Sequence, residues 1–405
     1  MAKKYELNEI EVWDGNTAVS HALRQARIDV VAAYPITPST PIVQNYSKFL
    51  ADGYIDGEFI MVESEHSAMS GCVAAGAAGA RTATATSSQG FALMVEVLYQ
   101  ASGMRIPVVL TVADRALAAP LNVNGDHSDM YLGRDAGWIN LCAYNPQEAY
   151  DLTLMAFKIA EDLDVRLPAM VHQDGFICSH TAQNVRPLSD AEAAKFVGEY
   201  KPVNSMLDIS NPVTHGVQTE EDWHFEHKAR QHNDLMNSKN VIKRVFDEFK
   251  TLTNREYNLV DNYKLEDADI AIVAIGTTVE SARIAADKLR DEGIKAGVLG
   301  IRVLRPFPFE EIVNALSNVK AIATMDRSAP GGTFGMLFNE ISGAMIGSGK
   351  SPIILNYIYG LGGRDTTIEQ LIEIYKQLDD CARNNQRKYP LQQFIGLRGP
   401  KLSFF

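Results

Sequence analysis

Cysteine is scarce in this chain of 405 residues. Four are present, Cys72, Cys142, Cys178 and Cys381, far apart and with no C-x2-C pair among them. That spacing excludes a zinc ribbon or a self-contained iron–sulfur cluster. In a cytosolic chain such residues read most simply as buried, reduced thiols, and a redox metal used by the protein would belong to a partner. Basic charge is in deficit as well: 38 Lys and Arg against 50 Asp and Glu give a net charge of −12. This argues against a nucleic-acid surface and gives no reason to expect anionic lipid, so neither nucleic acid nor membrane is an expected partner. No apolar run approaches the roughly 18 residues of a membrane span. The N-terminal stretch MAKKYELNEIEVWDG lacks the apolar segment of a signal peptide, so the expectation is a cytoplasmic chain. No strand pattern is followed by G-x-G-x-x-G, which leaves a dinucleotide-binding fold without support.

What is present is an ordinary globular composition, 46% apolar and 22% charged, long enough for two or three domains. Short apolar strands alternate with helical patterns. Asn16 or Thr17 can cap a first helix, followed by the strand pattern IDVVAAY. A strand at Phe59–Glu63 leads into a helix over Ser67–Gly79, and a short strand at Thr82–Thr86 into a helix from about Gly90. The strand pattern Pro107–Ala113, a helix over Pro146–Leu163 and a strand at Ala169–His172 complete the run. This alternation predicts a parallel α/β sheet. Residues 201–226 lose the pattern, a charged helix spans roughly 228–253, and a second α/β unit begins at Asp269 with IAIVAIG. No clear element is expected from Asn384 on, and the end of the chain, closing on Phe404 and Phe405, reads as a docking tail.

Three constellations stand at predicted strand ends, where ligands collect in open α/β sheets. The first is YPITPST, residues 34–40, in which Thr37, Ser39 and Thr40 offer hydroxyls on a loop stiffened by proline. A plain turn with Ser39 or Thr40 as helix cap explains the same residues. The second is Glu63-Ser64-Glu65-His66, opening a helix of small residues, SAMSGCVAAGAAGA. A glutamate at a helix start needs no further role, since it complements the dipole. Yet a helix with so few large side chains lets a flat ligand or another backbone come close, so Glu65 is also a candidate for a buried carboxylate facing a ligand. The third is Asp114-Arg115, suited to bidentate recognition of a carboxylate or phosphate, or else a simple pair with Asp114 or a surface charge. A polar segment containing Asn122, Asn124, Asp126, His127 and Asp129 follows. The stretch GAMIGSGKS at 343–351 imitates a phosphate loop, but its spacing is one residue too long and it follows a helix. In YGLGGRD, Arg364 beside Asp365 reads as an anchored turn.

Taken in order, YPITPST, the ESEH helix, TSSQG, ADRALAAP, NGDHSD and YGLGGRD resemble the alpha subunits of the 2-oxoacid:ferredoxin oxidoreductases, the pyruvate:ferredoxin oxidoreductase (pyruvate synthase) branch in particular, over about residues 10–380. The resemblance implies a thiamine-enzyme pyrimidine-binding-type parallel-sheet domain over 1–255, with the connection from about 201 included. A transketolase C-terminal-type α/β domain over 256–385 and a docking tail over 386–405 would follow. It implies thiamine diphosphate shared with a beta subunit, Mg2+ and [4Fe–4S] clusters held by partner subunits, coenzyme A as co-substrate, and ferredoxin as the electron partner. Beta, gamma and delta subunits, two copies of each, are the expected company.

Carried over motif by motif, Glu65 falls at the glutamate that meets the pyrimidine N1′, Thr37 and Arg115 at the positions that bind substrate, and Ser88 and Gln89 of TSSQG at the cofactor. The residue types suit the chemistry. A carboxylic acid at N1′ favours the imino tautomer, whose 4′-nitrogen acts as a base, and an arginine holds a 2-oxoacid by its carboxylate. The family holds the pyrophosphate through Mg2+ with a Gly-Asp-Gly motif, whereas Gly125-Asp126 is followed here by His127, so that site is expected on the beta subunit. The same family acting on 2-oxoglutarate, a branched-chain acid or oxalate is the alternative, and a non-catalytic scaffold subunit is another. Thr37 in place of a basic residue disfavours oxalate.

Overall fold

The computed structural model describes residues 3–398. Two compact units emerge, and the chain passes between them more than once. The first comprises the chain up to Gly125, Asp129–Leu259 and Arg302–Pro308; the second comprises Asp126–Ser128, Val260–Ile301 and the chain from Phe309.

The first unit opens with β1 (Glu11–Trp13), α1 (Gly15–Gln25), β2 (Val30–Ala33), α2 (Thr40–Ala51), β3 (Glu58–Met61) and α3 (Glu65–Ala77). It continues through β4 (Thr82–Thr86), α4 (Ser88–Gly103), β5 (Val109–Asp114), α5 (Ser128–Gly133), β6 (Ile139–Cys142), α6 (Pro146–Glu161), β7 (Ala169–Asp174), β8 (Gln183–Val185), α7 (Asp190–Val197) and α8 (Glu221–Thr253). The second holds β9 (Val260–Tyr263), β10 (Ile270–Ala274), α9 (Thr278–Asp291) and β11 (Ala296–Ile301). Then β12 (Val303–Arg305) returns to the first unit. After it come α10 (Phe309–Ala315), β13 (Ala321–Asp326), α11 (Met336–Gly347), β14 (Ile353–Ile358), α12 (Ile368–Asn384) and β15 (Gln392–Phe394).

The first unit is built on a seven-stranded sheet in the order β12-β6-β7-β5-β4-β2-β3, parallel except for the β12–β6 pair. Strands buried on both faces are built largely of apolar or small residues, as in VLTVA of β5 and AMV at the start of β7, before each strand ends on buried polar residues, Asp114 in one and His172, Gln173 and Asp174 in the other. One face of the sheet carries a core around Leu23, Tyr46, Phe157 and Phe249; the other carries Met69, Phe91, Met94 and Trp138. β1 and β8 form a separate antiparallel pair. The second unit has its own six-stranded sheet, β15-β14-β13-β10-β11-β9, antiparallel only at β9–β11.

The α/β alternation is as expected, and several particulars differ. The first helix is capped by Asp14, whose carboxylate accepts from Thr17 N–H, rather than by Asn16 or Thr17. The turn after YPITP runs directly into α2, with Ser39 at the N-cap position but its hydroxyl donating to the Ile36 carbonyl. α12 was missed although its apolar face is buried, and residues 392–394, expected to lack structure, add an edge strand to β14. Phe404 and Phe405 lie outside the described residues. Gly343 and Gly347 of the phosphate-loop imitation sit in the last turns of α11. Arg364 donates to the Gly396 carbonyl at 2.7 Å rather than being anchored by Asp365. All four cysteines are buried, and none of them is in a disulfide. Among the described residues, no helix is long and apolar enough to cross a membrane.

Candidate active site

The parallel strands β2, β3, β4, β5 and β7 all end on one edge of the first sheet, and the expected site residues lie in the loops that leave it. At the end of β3 the two glutamates separate in role. Glu63 is exposed and accepts from the Ser67 hydroxyl, which lowers its pKa. Ser64 caps α3 through Ser67 N–H. Glu65, in the first turn, turns inward and is 7% exposed. Among the described residues no donor and no ion-pair partner meets its carboxylate. A buried carboxylate without a donor is costly, and such groups concentrate where a ligand is bound.

The carboxyl group is backed by α4. Gly90 lies so close that a Cβ there would stand 2.5 Å from Glu65 Oε1 and 2.7 Å from Cδ, a separation that only glycine allows. Ser88 opens α4 with φ +50°, and its hydroxyl donates to the Ala116 carbonyl at 2.5 Å. Gln89 Oε1 stands 2.7 Å from that hydroxyl, while Gln89 Nε2 is buried with no partner among the described residues.

At the end of β5, Arg115 is 6% exposed. Its guanidinium donates from Nη1 to the Thr37 carbonyl at 2.8 Å and from Nε to the Asn122 carbonyl at 3.2 Å. Burial lowers its pKa, opposed by the charge of Asp129, and the group stays cationic. It is therefore neither a surface charge nor a partner of Asp114, whose Oδ1 meets His172 Nδ1 at 2.8 Å. The Thr37 side chain stands on an exposed residue, and the loop behind it is held by Asn16, whose Nδ2 donates to the Pro38 carbonyl at 2.8 Å. Gln173 Nε2 in turn donates to Asn16 Oδ1.

The five residues expected from sequence thus form one run of contacts. Glu65 lies against Gly90, which follows Gln89 and Ser88. Ser88 N–H and Arg115 N–H both donate to Asp129 Oδ2, at 2.7 and 2.9 Å, and Arg115 reaches Thr37. Asp129, Gly90, Asn16 and Gln173 were not foreseen in these roles. Asp129 and Asn16 act on backbone groups, Gly90 by close approach and Gln173 through the Asn16 side chain, none of which a residue pattern announces. In the second unit, Asp126 caps its own turn through Ser128 N–H and accepts from Gly362 N–H of the YGLGGRD segment at 3.3 Å. Among the described residues no group of three or more His, Cys, Asp or Glu is placed to hold a metal ion.

The arrangement fits a flat heterocycle bearing a basic ring nitrogen. It offers a buried, undonated carboxylate, a wall without side chain at Gly90, an unpaired amide at Gln89, and a separate cationic arginine for an anionic substrate group.

Comparison with known proteins gives the same direction. Residues 21–247 match the family described as pyruvate flavodoxin/ferredoxin oxidoreductase, thiamine diphosphate-binding, and residues 268–371 match pyruvate:ferredoxin oxidoreductase core domain II. The chain is 45% identical to pyruvate synthase subunit PorA of Thermotoga maritima, over 95% of this chain and 97% of that one. It is 42% identical to the PorA subunit of Pyrococcus furiosus, over 96% and 98% of the two chains. The ketoisovalerate oxidoreductase subunit VorA of Pyrococcus abyssi is also 42% identical, over 91% and 93%. Among solved structures, the 2-oxoglutarate:ferredoxin oxidoreductase of Magnetococcus marinus, with 2-oxoglutarate, coenzyme A and succinyl-CoA bound, shares the fold with a TM-score of 0.70 at 19% identity; the match covers 91% of this chain and 65% of that longer one. A split-gene transketolase shares it more distantly, with a TM-score of 0.54 at 14% identity over 90% of this chain and 97% of the transketolase chain.

Proposed function

Because the chain belongs to the pyruvate:ferredoxin oxidoreductase family, as its alpha-type subunit, we propose that it supplies the pyrimidine-binding half of an active site that a beta subunit completes. The enzyme acts in the cytoplasm and catalyses the reversible, coenzyme A-dependent oxidative decarboxylation of pyruvate to acetyl-coenzyme A and carbon dioxide, with ferredoxin taking the electrons. Residues 1–255 make up most of the pyrimidine-binding domain, to which Val303–Arg305 adds an edge strand, and the transketolase C-terminal-type domain runs from 256 past 385 to include the edge strand Gln392–Phe394, so that part of the expected docking tail belongs to its sheet. The beta subunit holds Mg2+ and the pyrophosphate, [4Fe–4S] clusters sit in the partner subunits, and gamma and delta subunits complete two copies of the set.

The observation that carries this reading is the buried Glu65 carboxylate with no donor among the described residues. Thiamine diphosphate, when bound, supplies the carbon nucleophile that attacks the 2-oxo carbon. Glu65 holds a proton at the pyrimidine N1′ and so sets the tautomer of the ring. Gly90 keeps that carboxyl in place from behind, and Gln89 offers Nε2 as a further donor at the ring's edge. Arg115 binds the substrate carboxylate with the part of its guanidinium not committed to Thr37 and Asn122, and Thr37 orients the substrate from the opposing loop.

A second reading keeps the chemistry and changes the acid. The ketoisovalerate-named relative is as similar as the Pyrococcus furiosus pyruvate relative, so 2-oxoisovalerate competes with pyruvate as the preferred substrate. The test is anaerobic purification of the assembled enzyme from its native cell, with coenzyme A-dependent viologen reduction assayed on pyruvate, 2-oxoisovalerate, 2-oxoglutarate and oxalate. Highest kcat/KM on pyruvate supports the proposal; highest kcat/KM on another acid replaces the substrate. An assembled complex inactive on all four overturns the enzymatic reading.

A further inference from the structure

The loops that carry the proposed pyrimidine-side and substrate-side residues leave different strands. Ser88, Gln89 and Gly90 follow β4, and Arg115 follows β5. Both strands belong to the same sheet, but the pairing of β4 with β5 ends at Thr86–Val112, although β5 stays paired to β7 through Asp114, and beyond that point nothing in the β4–β5 ladder fixes one loop against the other. The link is made by Asp129, which lies in the short helix α5 and is fully buried. A single carboxylate oxygen, Oδ2, accepts from Ser88 N–H at 2.7 Å and Arg115 N–H at 2.9 Å. Oδ1 accepts from Met130 N–H at 2.8 Å, which fixes the direction of the side chain. The Ser88 hydroxyl adds a third tie, to the Ala116 carbonyl just past Arg115.

We infer that Asp129 is a positioning residue that sets the separation between Gly90, with the Glu65 carboxyl behind it, and the Arg115 guanidinium. The inference rests on the functional reading given above and deepens it. The carboxylate is suited to this task because a charged acceptor can take two N–H donors on one oxygen with short bonds. It also holds Ser88 in a left-handed conformation that a non-glycine residue adopts only at a cost in energy. Neither amide has another acceptor within its own element, Ser88 being the first residue of α4 and Arg115 lying just beyond β5, so the protection of both reports on Asp129 directly. Catalysis at two groups on different loops depends steeply on their spacing.

The test uses the assembled enzyme and two readouts. Hydrogen–deuterium exchange, resolved to single amides by fragmentation, is read at Ser88 and Arg115 in the wild type. Slow exchange at both is expected, and fast exchange at both overturns the inference whatever any variant does. In D129N the amide side chain keeps the volume and loses the charge. Exchange at the two amides should then accelerate, and KM for the preferred 2-oxoacid should rise about tenfold, the equivalent of one weakened charge-assisted hydrogen bond, with KM for coenzyme A unchanged. Equal rises in both KM values would assign Asp129 a merely structural role and overturn the proposal. If D129N does not assemble, D129E is read by the same two criteria. An enzyme that prefers another 2-oxoacid removes pyruvate from the functional reading and leaves this test intact on that acid. A pyruvate-active D129N enzyme without the KM split removes this inference alone.

Discussion

Gly90 backs directly onto the carboxyl group of Glu65, where a Cβ would stand 2.7 Å from both Cγ and Cδ. The contact is with the stem of the side chain as well as its tip, so a methyl group at position 90 cannot be accommodated by rotating the carboxylate alone. G90A should still fold, because alanine is the better helix former in α4. Its turnover should fall by on the order of 100-fold, the effect of displacing a catalytic group by about 1 Å. Steady-state kinetics beside a circular dichroism melt check both halves; wild-type turnover in a folded G90A enzyme would remove the close approach from the mechanism.

E65Q preserves the shape against Gly90 and removes the acid. Assembly should be normal while kcat drops by at least about 100-fold, the range for loss of a general acid–base group. Gel filtration and viologen reduction measure the two separately, and full activity in E65Q takes Glu65 out of proton handling.

Arg115 serves both the substrate and the Thr37 loop, so its variants should differ from each other. R115A should raise KM for the 2-oxoacid by an amount equivalent to about 2–5 kcal/mol, and KM for coenzyme A far less. R115K keeps the charge but cannot bridge the Thr37 and Asn122 carbonyls with a planar fork, so it should recover only part of the loss. Equal changes in the two KM values for R115A would contradict carboxylate binding.

His21 gives a prediction about stability. It is buried, stacked on Trp13 at 4.1 Å, and its pKa is pushed down to about 3 by burial first and by the charge of Arg24 second, with Asp190 opposing. The unfolded chain takes up this proton near pH 6.5, whereas the folded chain refuses it until far lower. Stability is therefore lost as pH falls below 6.5, at about 1.4 kcal/mol per pH unit. H21F keeps the ring and removes the titration; Nδ1 has no partner among the described residues to lose. Between pH 7 and pH 5 the wild type should lose about 2 kcal/mol relative to H21F, read from denaturation midpoints. Parallel curves for the two proteins would rule out His21 as the titrating group.

How far the sequence could be read follows from which interactions leave a mark on residue type. Glu65, Thr37, Arg115, Ser88 and Gln89 belong to motifs whose order points to one family, so their neighbourhood was legible as soon as the motifs were read together. β4 was legible to its ends, because Thr82–Thr86 lies between a turn and a helix-opening serine. Asp129 was visible only as one polar residue in a polar stretch, since its two partners are main-chain N–H groups that every residue type offers. Arg115 left open the choice between an ion pair and a surface charge; its actual partners are main-chain carbonyls, that of Asn122 in the segment just after it and that of Thr37 on a loop distant in sequence. β12 and β15, three residues each, are too short for periodicity to register and are set by pairing at a sheet edge. α2 was hidden behind Pro35 and Pro38 and by a third proline, Pro41, in the first turn of the helix itself, where proline is tolerated.

The return of Val303–Arg305 to the edge of β6 sets an order on synthesis. The segment is fastened to the first unit by Arg302, whose guanidinium donates to Glu148 at 2.9 Å and lies over the Tyr144 ring. As the chain leaves the ribosome, β9, β10, α9 and β11 emerge before this last strand of the first sheet does. Until then β6 carries an unpaired edge and Glu148 lacks the cation that neutralises it. The first unit is therefore finished only when a large part of the second has already been made, and no single cut in the gene yields both sheets complete.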